Sequence, residues 1–297
     1  MQAAVATARS SLTLHRTVAS IRSMRHALDP AVKIGFVPTM GALHEGHLSL
    51  VKEARARNDI VVASIFVNPT QFGEGEDFEQ YPRQLEQDQD LLADLGVDHL
   101  FAPDANSMYG KNHDSFVSVE GFEDIAEGKA RPGHFRGVAT IVTKLFNIVQ
   151  PSNAYFGQKD AAQCCLIQRI VDDLDMPLHV NVIPTVREPD GLAMSSRNAY
   201  LTTTERQAAP VVYRSLCAAR DLFLGLPAES SIPAAHIQQV VESILASEPL
   251  VSEVQYVAID NKANMRPIDD DVHRSEGAII SLAVKVGSVR LIDNIVL

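Results

Sequence analysis

The feature that most constrains this chain is an alternation of short, almost wholly apolar runs with segments of helical periodicity. Residues 34–37 and 60–67 are apolar runs of strand length, and the segment 48–57 between them has apolar residues at helical spacing. A strand whose pattern has no polar side is one that is covered on both faces. Strands of this kind separated by helices predict a parallel sheet with helices on each side.

The alternation continues to about residue 186 and then changes character. Before this point we expect helices over 84–95, 138–149 and 161–171 and strands over 154–156 and 178–186. After it we expect helices over 204–224 and 233–247 and strands over 254–259, 278–286 and 289–297. The sequence therefore predicts an α/β fold, with a parallel-sheet domain over 1–186 and a smaller C-terminal α+β domain over 187–297.

Composition excludes several classes of protein. With 26 basic and 37 acidic residues the net charge is −11, which argues against general nucleic-acid binding. No apolar run approaches the roughly 18 to 20 residues needed to cross a bilayer, so we expect no membrane partner. The three cysteines have no CxxC spacing, which supports neither a disulfide scaffold nor a zinc knuckle. A reducing compartment, and hence a cytoplasmic location, is the expectation.

The N-terminus allows two interpretations. Residues 1–28 contain four arginines and no acid, a bias that resembles an organellar transit peptide. Leu14, Val18 and Ile21 recur at helical spacing, however. This favours a first helix of the domain, preceded by a frayed tail of about ten residues.

The segment 38–47 carries the strongest chemical signal. Gly41 and Gly46 let backbone approach a ligand closely, and the start of the following helix offers free N–H groups to an anion. His44 and His47 project from one face of that turn and could stabilise charge developing on a phosphate. The alternatives are a metal pair or solvated histidines. A metal is disfavoured because no third His or Cys lies nearby and Glu45 points elsewhere.

Two later segments could complete a nucleotide site. Ser195, Ser196 and Arg197 supply two hydroxyls and a cation that could close over phosphates, although such a loop could equally be a capping turn. Lys159 and Asp160 follow a strand end, where open parallel sheets bind ligands. Lys159 could neutralise phosphate charge, whereas Asp160 could accept from ribose hydroxyls or simply cap the next helix.

Substrate and metal residues are suggested by position. Gln71 lies in a loop after a strand and offers both donor and acceptor to a hydroxyl-bearing carboxylate, with Phe72 and Met40 as apolar walls, and Gln163 faces the same mouth. His134 and Arg136 could belong to a mobile lid. Asp88 lies on the leucine stripe of its helix and needs a partner, either a magnesium ion shared with ATP or an arginine.

Six segments in the same order resemble the pantoate–beta-alanine ligase (pantothenate synthetase) family of nucleotidyltransferases with a His-x-Gly-His motif. These are 38–47, 66–73, 77–83, 133–140, 156–160 and 187–201. The resemblance implies a Rossmann-like first domain, a lid-like C-terminal domain and a homodimer. It implies that pantoate attacks ATP to give pantoyl adenylate and pyrophosphate, and that beta-alanine then displaces AMP to give pantothenate.

The resemblance also assigns residues by motif. His47 would be proton donor and charge stabiliser, with His44, Lys159 and Arg197 as further catalytic residues. Gln71 would contact pantoate and then beta-alanine, Gln163 would contact pantoate, and Asp88 would help place magnesium. ATP would be held by Met40, Gly41, Ala42, Leu43, His44, Glu45, Gly46, His47, Gly157, Gln158, Lys159, Asp160, Val186, Met194, Ser195, Ser196 and Arg197.

Two other functions are compatible with some of these features. A plain adenylyltransferase shares His-x-Gly-His but needs a second cationic pocket for the phosphate of its acceptor. A nucleotide-binding regulatory module would keep the glycines but has no need for Lys159, His47 and Arg197 together.

Overall fold

A computed structural model describes residues 12–297, and its largest element is a six-stranded sheet. The strands are β1 (Thr13–His15), β2 (Ile34–Thr39), β3 (Ile60–Ile65), β4 (His99–Phe101), β5 (Asn153–Gly157) and β6 (His179–Ile183). They lie in the order β1-β4-β3-β2-β5-β6, and every neighbouring pair is parallel. The predicted parallel sheet is confirmed.

Helices cover both faces of this sheet. The helices of this part of the chain are α1 (Val18–Ala27), α2 (Glu45–Arg57), α3 (Leu85–Asp94), α4 (Ala105–Met108), α5 (Ala126–Ala130), α6 (His134–Val149) and α7 (Ala161–Asp173). Of these, α5 contacts the C-terminal strands through Glu127. Phe36 packs in a cluster with α1, α6 and α7, whereas its neighbour Val37 packs with α2 and α3. Successive side chains of a strand point to opposite faces of the sheet, so the residues of β2 pack alternately against the two helical layers.

The C-terminal part has its own apolar cluster. Its helices are α8 (Thr203–Ala208), α9 (Val211–Leu224) and α10 (Ala234–Ala246), and its strands are β7 (Ser231–Pro233), β8 (Val251–Asp260), β9 (Asp271–His273), β10 (Ile279–Val286) and β11 (Val289–Val296). β8, β10 and β11 form an antiparallel sheet that packs on α9 and α10. The predicted α+β unit is confirmed. The boundary at residue 186 stays a prediction, because Met265 and Ile279 pack into the cluster of the parallel sheet.

Two expectations about local structure were wrong. Leu14 is not helical but lies in β1 beside Leu100, and α1 begins only at Val18, after the side chain of Thr17 accepts a hydrogen bond from the Ser20 N–H. The helical stretch over 204–224 is two helices. It is interrupted at Pro210, which has no N–H to continue the first helix.

The predicted N-terminal tail falls largely on residues 1–11, which lie outside the described part of the chain. Within residues 12–297, no helix combines the length and the apolar character needed to cross a bilayer. Cys164, Cys165 and Cys217 are all free thiols.

Candidate active site

The parallel sheet reverses its strand order between β2 and β5. The chain proceeds from β2 to β3 on one side and from β5 to β6 on the other. Open parallel sheets bind ligands at such a reversal, beyond the carboxyl ends of the strands. The loop 40–44 follows β2 here, and the short 3-10 turn Gln158–Asp160 follows β5. Two of the segments singled out in the sequence therefore meet where the topology favours a ligand.

A cavity of about 1040 Å³ lies at this point. It brings together eight of the predicted site residues, namely Met40, His47, Gln71, Lys159, Asp160, Gln163, Ser195 and Arg197. The other predicted residues do not form part of its lining, namely Gly41, Ala42, Leu43, His44, Glu45, Gly46, Asp88, Gly157, Gln158, Val186, Met194 and Ser196. Some of these residues contact the lining residues without reaching the cavity, as His44 contacts His47.

The two histidines form the N-terminal cap of α2. The His44 ring nitrogen Nδ1 accepts from the Gly46 N–H at 3.1 Å, and the His44 N–H donates to Nδ1 of His47 at 3.4 Å. The two rings lie with their centroids 4.1 Å apart. Because Nδ1 of His47 accepts, a neutral His47 carries its proton on Nε2. Glu45 faces the exterior and pairs with Lys52 at 3.1 Å.

Both imidazoles are neutral at pH 7. Burial, and then the positive charge of Lys159, lowers the pKa of His44 to about 4. Burial, followed by His44 and Lys159, lowers the pKa of His47 to about 3. A neutral His47 can offer a phosphate oxygen an N–H hydrogen bond without first acquiring a charge.

Asp88 contacts backbone N–H groups, a kind of partner that was not considered from the sequence. Its side chain is on the buried face of α3, as the leucine stripe predicts, with no exposed surface. One oxygen accepts from the Ala42 N–H and the other from the Leu43 N–H, each at 2.9 Å. The predicted alternative of an ion pair with an arginine is therefore wrong, as far as residues 12–297 are concerned. The position also does not fit a ligand of a magnesium ion bound with ATP in the cavity, because the carboxylate is fully buried and Asp88 does not line the cavity.

The turn after β5 is held by the C-terminal sheet. Asn294 of β11 donates to the backbone oxygens of Gln158 and Lys159, at 2.9 and 2.8 Å. The Gln158 amide in turn donates to Asn294 at 3.2 Å. Asp160 occupies the N-cap position of α7, but its side chain makes no capping hydrogen bond to that helix. Its carboxylate lies 4.0 Å from the Lys159 ammonium.

Arg197 is engaged by a carboxylate from the first domain. Its Nε and Nη2 donate to the two oxygens of Asp77 at 2.8 and 2.7 Å. Ser195 does cap a short 3-10 turn, because its hydroxyl accepts from the Arg197 N–H at 3.3 Å. The Ser196 hydroxyl lies 3.1 Å from that of Tyr81. The loop around Ser195 is thus a capping turn whose arginine also reaches the cavity.

Gln71 is fixed from two sides. Asn68, which is buried, donates to Gln71 Oε1 at 3.0 Å, so Nε2 of Gln71 is the end directed toward Met40, 3.1 Å from its sulfur. His134 Nδ1 and Arg131 Nη2 lie 2.9 and 3.2 Å from the Gln71 carbonyl oxygen. His134 is therefore the buried start of α6, whose contacts support Gln71 and do not indicate a mobile lid.

Four residues of this arrangement had no role assigned from the sequence. Asn68, Asp77 and Tyr81 lie in the segments 66–73 and 77–83 that carried the family resemblance, so position in a motif could have selected them. No feature of the sequence distinguishes Asn294 from any other polar residue of the last strand. Its function depends on a contact with a turn that is remote in sequence.

Comparison with known proteins gives the family. The model of the family described as pantoate–beta-alanine ligase matches residues 13–296. The chain belongs to the pantoate–beta-alanine ligase family. A pantothenate synthetase from Herpetosiphon aurantiacus is 49% identical over 282 residues, which cover 95% of this chain and 100% of the relative.

Solved structures of the pantoate–beta-alanine ligase family share this fold. The pantothenate synthetase from Thermus thermophilus is 46% identical with a TM-score of 0.86, and the match covers 95% of this chain and 98% of that one. The pantoate–beta-alanine ligase from Francisella tularensis, complexed with beta-gamma ATP and beta-alanine, is 37% identical with a TM-score of 0.76. That match covers 96% of this chain and 97% of the other.

Proposed function

We propose that this chain condenses pantoate with beta-alanine in two steps that use ATP. In the first, a carboxylate oxygen of pantoate attacks the α-phosphorus of ATP, and pyrophosphate leaves. In the second, the amine of beta-alanine attacks the acyl carbon of the pantoyl adenylate. The amide of pantothenate forms, the nitrogen loses a proton, and AMP leaves. Family membership and the ATP and beta-alanine held by the Francisella tularensis relative support this reaction.

The observation that carries the proposal is the set of side chains that line the cavity. A neutral imidazole N–H from His47 and the ammonium of Lys159 line the same space as the amides of Gln71 and Gln163. The first pair suits a phosphate whose negative charge increases during attack. The second pair suits a small molecule that carries hydroxyls and a carboxylate. The two donor sets together match the two reactants of an adenylation.

Each residue then has a definite task. His47 donates through Nε2 to a phosphate oxygen, and His44 holds that ring through their backbone and ring contacts. Lys159 and Arg197 provide positive charge, while the remaining motif residues shape the nucleotide site, as when the Met194 N–H donates to the Val186 carbonyl at 3.0 Å. Gln71 presents its Nε2 to the carboxylate of pantoate and later to beta-alanine.

Three expectations accompany the proposal without entering its steps. Magnesium as the companion of ATP stays a prediction, and no step is derived through it because Asp88 does not fit the ion. The homodimer that the resemblance implies and the cytoplasmic location expected from the cysteines also stay predictions.

The proposal is tested by following products with the purified chain. ATP and pantoate alone should release pyrophosphate in an amount limited by the enzyme, because the adenylate stays bound. Adding beta-alanine should give continuous release of AMP and one pantothenate per AMP. Transfer of AMP to an acceptor that keeps it would instead show a plain adenylyltransferase, and ATP binding without turnover would show a regulatory module.

A further inference from the structure

Asp88 is a buried carboxylate whose shortest polar contacts lead to the loop after β2. Its two oxygens each accept one backbone N–H, from Ala42 and from Leu43, and Gln84 Nε2 lies 3.4 Å away. It lies in the first turn of α3, where the helix dipole favours a negative charge. A buried anion is tolerated when hydrogen bonds compensate it, and here the compensation comes from main-chain N–H groups.

The loop that Asp88 contacts has an unfavourable backbone conformation. Gly41 has φ +85° and Ala42 has φ +52°, both in the left-handed region. A residue with a Cβ adopts this region only when its surroundings hold it there. The carboxylate of Asp88 accepts from the N–H of Ala42 itself and from the next one along the chain. It therefore supplies the contact that selects this conformation.

The loop leads directly into His44 and His47. Leu43 precedes His44, the N-cap of α2, and His44 contacts His47 through its backbone and its ring. We propose that Asp88 is a positioning residue for His47, which fixes the start of α2 by holding the N–H groups of Ala42 and Leu43, and that it is not a magnesium ligand. The effect of this positioning on adenylation rests on the proposed function, whereas the positioning itself does not.

The first test measures the ring of His47 with no substrate present. In Asp88→Asn the amide can accept only one of the two N–H groups, and its own NH₂ opposes the other. A released loop exposes the His47 ring to water, so its pKa should rise from about 3 toward the ordinary value of 6.5 in a proton NMR titration of the imidazole. Loss of the negative charge alone would lower the pKa. A rise therefore reports position, and an unchanged or lower pKa overturns the proposal.

The control is Asp90→Asn, which removes an exposed carboxylate from the same helix and should leave the His47 titration unchanged. If Asp88→Asn does not fold, Gly41→Ala tests the same contact with the charge kept. A Cβ at Gly41 would meet Asp88 Oδ2 and Ile65 Cγ2, each at 3.0 Å. It too should raise the pKa of His47. In the unaltered protein the amide hydrogens of Ala42 and Leu43 should exchange slowly, and exchange at the rate of an exposed loop would also overturn the proposal.

The second test separates positioning from metal binding. We expect Asp88→Asn to slow adenylation by about 100-fold, as for loss of a positioned donor, with the half-saturating magnesium concentration unchanged. If Asp88 were a magnesium ligand, the half-saturating magnesium concentration would instead rise by about tenfold or more. If the chain shows no adenylation at all, the proposed function fails, but the titration of His47 still decides whether Asp88 positions it.

Discussion

His134 should make the stability of this protein depend on pH in a way that can be calculated. Arg131 has no lone pair to offer, so the guanidinium nitrogen 3.2 Å from His134 Nε2 must donate to it. The proton of neutral His134 is then on Nδ1, which donates to the Gln71 carbonyl at 2.9 Å. Burial, and next the charge of Arg131, lowers the pKa of His134 to about 4.

The direction in which stability changes with pH follows from which state, folded or unfolded, binds the proton more readily. The unfolded chain protonates this histidine below about pH 6.5, whereas the folded chain does so only below about pH 4. Its contribution to stability is fully present above pH 6.5 and is lost as the pH falls toward 4, below which no further loss occurs. His134 is 9% exposed, so solvent screening is slight. A difference of about 2.5 pH units corresponds to about 3 kcal/mol at most.

The assay compares urea unfolding at about pH 7.5 and about pH 4.5 in the unaltered chain and in His134→Asn. Asparagine keeps an N–H for the Gln71 carbonyl but does not titrate. The free energy of unfolding should fall between the two pH values by about 2 to 3 kcal/mol less in the variant. His179→Asn, which removes an exposed imidazole, should leave the fall unchanged. An equal fall in His134→Asn would refute the reasoning.

Three further predictions address the site and its framework. His47→Ala should reduce adenylate formation by about 100-fold or more in single-turnover pyrophosphate release, and a near-normal rate would remove it from the chemistry. Lys159→Ala should slow adenylation more than amide formation from supplied pantoyl adenylate, because its charge acts while phosphate charge develops; equal losses would contradict this. Arg187→Met strips buried Asp293 of contacts at 2.6 and 2.9 Å and should lower the free energy of unfolding by about 3 to 5 kcal/mol. Arg206→Met, in an exposed pair, should cost about 0 to 1 kcal/mol, and similar losses in both variants would argue against this assignment.

Local periodicity was sufficient for several features. The apolar runs predicted β2 and β3 because a strand covered on both faces has no polar side. The spacing of leucines around Asp88 placed this carboxylate on the buried face of α3, where it lies. The three-residue separation of His44 and His47 predicted adjacent rings on one helical turn, and the rings are adjacent. In the two helical cases the neighbours that decide the outcome lie within one or two turns along the chain.

Features that depend on distant contacts could not be predicted in this way. β1 and β4 have three residues each, too few to show a period, and each exists because it pairs with a neighbouring strand. The backbone partners of Asp88 could not be foreseen, because N–H groups become available only once a loop takes its conformation. The ion pair of Arg197 with Asp77 joins two segments that are remote in sequence.

That ion pair bears on how the nucleotide enters. Asp77 occupies the guanidinium of Arg197 in the bidentate manner that a phosphate would use. If Arg197 binds ATP as proposed, a phosphate of the nucleotide replaces the Asp77 carboxylate at a guanidinium that is already oriented. The displaced Asp77 lies along the chain between Phe72 and Tyr81, which both line the cavity. Occupancy of the nucleotide site would then be communicated to that wall through the release of a single carboxylate.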